Sequence, residues 1–129
     1  MSAPLQISAA HRAARNQASL TLADAGVGTS CIRLYDAQGG QLLATLTLAK
    51  PCGRVDAQGR IALLGAAVPD LVQATGRVAW AEWCDGAGNP IAAGAVTDAA
   101  GDGPFRLAGA NGALIYEGGL VLLDGATLG

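Results

Sequence analysis

The feature that most constrains this chain is a turn word written several times. "DAQG" occupies residues 36 to 39 and again 56 to 59, and looser copies, "DGAG" and "DAAG", start at Asp85 and Asp98. Each copy sits beside an apolar run. Asp can hydrogen-bond the backbone two residues on, and Gly supplies the positive φ of a tight reversal. Two alternating runs joined by such a word read as a β-hairpin. "CIRLYD" alternates Ile32 and Leu34 against Arg33 and Tyr35. "QLLATLTLA" alternates Leu42, Ala44, Leu46 and Leu48 against Leu43, Thr45 and Thr47. "DGAGNP" separates "GRVAWAEWC" from "IAAGAV" as a second hairpin. Such spacing predicts a mainly β domain, an antiparallel sandwich of jelly-roll or immunoglobulin-like type over residues 30–129. The strand order and the fold of residues 98–129 stay open at this level.

Ahead of the strands, residues 8 to 25 hold no Gly or Pro and begin with Ser8, an N-cap type. Ala, Arg and Gln favour helix, and Gly26 suits the stop. The reading is an N-terminal α-helix with Ala10, Ala14, Ala18 and Leu22 as a shallow stripe. So weak a stripe places the helix outside or against one edge of the sandwich, where it contributes to self-association. One domain accounts for residues 1–129.

Composition narrows the function classes. Charged residues are 14% of the chain, against about 25% in an average soluble protein. So thinly charged a surface suits self-association or a place in a larger assembly. The formal net charge of −2 and scattered arginines give no nucleic-acid footprint. No stretch reaches the roughly 20 apolar residues of a membrane span, and the N-terminus does not read as a signal peptide. Cys31, Cys52 and Cys84 show no CxxC spacing, and the single histidine, His11, lies apart from them. That fails the pattern of a zinc site and reads as three free thiols in a reducing compartment.

Catalytic patterns fit no better. The Asp turns lack the alternating oxygen ligands and final Glu of a calcium loop, since Asp36 and Gln38 are followed by apolar residues. No GxSxG is present, and His11 on an Ala/Arg helix reads as solvated. Glu82, Asp85 and Glu117 supply carboxylates, but few aromatics are at hand to line a sugar cleft. The residues predict neither an enzyme, nor a cofactor, nor a metal.

The order of words carries a resemblance. An Arg/Asn-bearing helix ends in "ADAGVG" and is followed by a strand with Ile32, Arg33, Leu34, Tyr35 and Asp36. Then come "LLATL" at Leu42 to Leu46, Ala74, Thr75 and Gly76 ahead of Ala79 and Trp80, and a turn from Asp85 to Gly88. Over residues 8 to 97 this resembles a family of small proteins of tailed phages and prophages. The chain departs from the pattern at Cys52 and after Asp98. The resemblance implies a virion-associated structural protein with a β-sandwich core and no catalytic residues. Its partners would be itself, as a homo-oligomer, and other virion proteins. It would reside in the host cytoplasm during expression and in the virion after assembly. A carbohydrate-binding or adhesin-like β module is the alternative.

Strand "RVAWAEW" offers the candidate surface. Strict alternation puts Val78, Trp80, Glu82 and Cys84 on one face and Arg77, Ala79, Ala81 and Trp83 on the other. Burying an unpaired Glu82 would cost several kcal/mol, so the Trp83 face is expected inside and the Trp80 face outside. An outward Trp is the residue type most enriched at binding hot spots. Trp80 and Glu82, with Arg12 and Arg15 of the helix, are therefore the candidate assembly residues.

Overall fold

The computed structural model describes residues 6–66, 71–98, 105–108, 113–119, 122–123 and 127–128. The expected helix is α1, Ala9–Ala23. Ser8 caps it, its side chain accepting from the His11 amide at 3.1 Å. The strands follow in chain order: β1 Cys31–Tyr35, β2 Leu42–Val55, β3 Ile61–Gly65, β4 Gly76–Arg77, β5 Trp80–Cys84 and β6 Pro90–Asp98. Then come β7 Phe105–Ala108, β8 Leu114–Ile115, β9 Leu122–Leu123 and β10 Thr127–Leu128.

Among the described residues, eight strands form one sheet in the order β10-β3-β2-β1-β5-β6-β7-β9, and β4 pairs with β8 separately. The five central strands, β3 to β6 in that order, are antiparallel and form a curled sheet. The β6–β7 pair is parallel. Among the described residues the protein is thus mainly β with one helix.

The three described turn words behave alike. At 56–59 the Asp56 carboxylate accepts from the Gln58 and Arg60 amides, both at 2.9 Å. The Gly59 amide donates to the Asp56 carbonyl, and Gly59 takes φ +80°. At 85–88 Asp85 accepts from the Ala87 and Asn89 amides at 2.9 Å, and Gly88 takes φ +88°. "DAQGG" is one residue longer, so the Asp36 carboxylate reaches the Gln41 amide instead, at 2.8 Å. Asp bonds the free amides and Gly bends the chain, as the sequence implies. The word at Asp98 runs outside the described residues.

The apolar core runs under the inner face of the sheet. Ile32 and Leu34 of β1, Ala44, Leu46 and Leu48 of β2, and Ala81 and Trp83 of β5 are all buried. Their positions agree with the register, which sets Ile32 opposite both Leu46 and Trp83, and Leu34 opposite Ala44 and Ala81. Trp83 finds a partner for its indole: Nε1 donates to the Ser30 hydroxyl at 2.8 Å, and that hydroxyl donates to the Cys84 carbonyl at 2.5 Å. Val72, Val78 and Ile115 join the same cluster.

Two sequence readings need correction. The helix stripe is not Ala10, Ala14, Ala18 and Leu22, all of which are exposed, Leu22 at 53%. The buried face is Asn16, Leu20 and Ala23. An Asn held the stripe out of view, because its polarity argues against burial until a partner is known. Its amide Nδ2 donates to the Gly59 carbonyl at 2.7 Å. A Cβ placed on Gly59 would lie 2.5 Å from the Ala9 carbonyl oxygen, so the second "DAQG" must end in Gly to meet the helix. The helix packs on β2 and β3, and its Leu20 and Ala23 join the core, so it is anchored more firmly than the shallow stripe implies.

The second correction concerns strand continuity. Val78 is buried and Ala79 exposed, opposite to strict alternation from Trp83. The chain leaves its pairing with β8 at Arg77 and joins β1 at Trp80. Between them the Val78 amide bonds Ala113 and the Ala79 amide bonds Tyr35. Alternation holds only while a strand keeps one set of partners, so its phase resets here.

Candidate outer-face site

Three cross-strand pairs join β1 to β5: the first two lie on the outer face, and the third ends in Cys84, which is buried rather than outward as alternation predicts. Tyr35 lies opposite Trp80, Arg33 opposite Glu82, and Cys31 opposite Cys84. β6 continues the rows with Ala95 beside Trp80 and Ala93 beside Glu82. On the far side, β2 sets Thr45 beside Arg33 and Thr47 beside Cys31. Ala93 and Ala95 are exposed, whereas Tyr35, Trp80, Glu82, Arg33 and Cys31 are half-buried. The result is a shallow aromatic ledge with a polar row beneath it.

Hydrogen bonds fix the ledge. The Tyr35 hydroxyl donates to the Glu82 carboxylate at 2.9 Å. Burial, then this bond, raises the Tyr35 phenol above its ordinary value. Arg33 interacts with Tyr35 and also reaches the next turn. A Cβ on Gly88 would come 3.3 Å from its Nη2, so the guanidinium reaches the Asp85–Gly88 turn. Cys84 beside it, ahead of the opposing effect of burial, raises the Arg33 pKa. Burial pushes the Cys84 thiol up to about 11, with Cys31 the next cause.

Asp85, at the end of β5, titrates the other way. Backbone amides, that of Asn89 first, hold its carboxyl below the ordinary value. The turn it organises is docked under the loop that leaves the helix. The Gly28 amide bonds the Gly86 carbonyl and the Gly86 amide bonds the Ala25 carbonyl. A Cβ on Gly86 would collide with the Gly28 carbonyl oxygen. Lys50 adds bonds to the Gly26 and Gly28 carbonyls, and the Asp24 carboxylate accepts from the Cys52 amide at 3.0 Å. This node ties helix, β2 and the β5–β6 turn together.

The sequence-predicted residues divide into two groups. Trp80 and Glu82 share the outer face of β5, with Trp83 beneath them in the core. Arg12 and Arg15 stand apart on α1, which packs on β2 and β3. Arg15 is exposed; Arg12 is half-buried and donates to the Gln58 carbonyl at 2.9 Å, so it also serves the helix–turn contact. Tyr35 and Arg33 complete the site. Their outward phase on β1 was readable, but only the β1–β5 register shows that they face Trp80 and Glu82.

Among the described residues, no group of three or more His, Cys, Asp and Glu could hold a metal ion, and no helix is long and apolar enough to cross a membrane. The chain matches no family model, curated protein or solved structure.

Proposed function

We propose that this protein is a structural component of a phage or prophage particle, acting by protein–protein association with copies of itself and with other virion proteins. The observation that supports this reading is the ledge itself: Trp80 and Tyr35 side by side on an outward sheet face, with exposed Ala93 and Ala95 as a flat margin. Large aromatics beside small residues make a surface that another protein can cover. The resemblance to phage proteins gives the partner class. A two-layer sandwich belongs to the same proposal, with the β4–β8 pair, which contributes buried Ile115, as the start of the second layer.

Light scattering on the purified chain tests it. A mass above that of one 12.8 kDa chain, reduced to the monomer by Trp80→Ser, is the expected result. A monomer at every concentration, or an oligomer that Trp80→Ser leaves intact, would count against the outer face. The aromatic pair next to a carboxylate also fits the alternative of a carbohydrate-binding module, since sugar rings stack on such faces. Retention on a polysaccharide matrix, lost with Trp80→Ser in a protein that is monomeric throughout, would favour that second reading.

A further inference from the structure

Cys31 and Cys84 are far apart in sequence but directly opposed across β1 and β5. Opposed residues of antiparallel strands have Cα atoms roughly 4.5 to 5.5 Å apart. That separation lies within the roughly 4.4 to 6.8 Å that a disulfide spans. Both thiols are free in the structure, and they interact with each other. Cys31 is half-buried and Cys84 fully buried, so an incoming reagent reaches Cys31 first. Arg33 lies two positions along β1 from Cys31 and interacts with both sulfurs. Cys52 does not share this arrangement: it is buried, and its amide is bonded to Asp24 of the helix–strand node.

We propose that Cys31 and Cys84 form a cross-strand dithiol site that low-molecular-weight disulfides oxidise reversibly. The Cys31 thiolate attacks one sulfur of the small disulfide and expels a small thiolate, leaving a mixed disulfide on Cys31. The Cys84 thiolate then attacks the Cys31 sulfur, forms the Cys31–Cys84 bond and expels the second small thiolate. Both protein protons end on the two released thiols. The protein loses two electrons and the small disulfide gains them. A small dithiol reverses the sequence. The site stands independently of the association reading, since it needs only the β1–β5 pairing.

Oxidised glutathione serves as the probe for the folded, reduced chain, and the readout is thiol counting with peptide mapping. The count should fall from the three cysteines of the sequence to one, with residues 31 and 84 recovered in one linked peptide. Cys52→Ser should still form the link. Cys84→Ser should stop at a glutathione adduct on Cys31. Retention of all three thiols by the folded chain would overturn the proposal. So would a link that includes Cys52, or a lasting glutathione adduct on Cys31 in the wild-type chain. Because light scattering plays no part, failure here is distinct from failure of the proposed function.

Discussion

Asp85 shows how one side chain can organise a junction. Its carboxylate collects two backbone amides of its own turn, and the turn docks through Gly86 onto the loop after the helix. Because those amides favour the charged form, the folded pKa lies below the ordinary 3.8. The group therefore stabilises the fold fully above that value, and the contribution fades as pH falls through the lower, folded-state pKa. Asp85→Asn keeps an acceptor oxygen but loses the charge. Urea midpoints should favour the wild type at neutral pH, and the gap should narrow once pH drops below 3.8. A gap that stays constant with pH would mean that the charge contributes nothing.

At the scale of elements, the helix separates what was legible from what was not. Its existence, its Ser8 cap and its end near Gly26 could be read from propensity and capping chemistry. Its buried face could not, because Asn16 is acceptable inside only when Gly59 of a distant turn offers a carbonyl. Ordinary exposure tests the corrected face. Leu20→Ala should destabilise by about 2–5 kcal/mol, as for a buried leucine. Leu22→Ala should stay within roughly 0.5 kcal/mol. Equal losses in urea titrations would return the helix to the sequence-derived stripe. Strand β1 and the middle of β2 and β5 were legible because burial alternates there; the alternation breaks at Leu43 and Cys84, where the β1–β2 and β5–β6 registers shift. The reset at Val78 and Ala79 depends on a change of partner from β8 to β1, which a local pattern does not contain.

For the whole molecule, the β1–β5 pair separates an inner, buried face from an outer one. Glu82 alone sufficed to orient β5, because an unpaired carboxylate does not belong in a core, and Trp83 is only 3% exposed. What lies beside Trp80 needed the register, which joins residues from opposite parts of the chain. We propose that this outer ledge is covered when copies associate. Acrylamide quenching of Trp80 fluorescence in a Trp83→Phe protein, followed across protein concentration, tests it most directly. Quenching should be efficient in dilute solution and weaken as the protein is concentrated and the ledge is covered. Equal quenching at every concentration, in a protein that light scattering shows to associate, would contradict the claim and move the interface elsewhere.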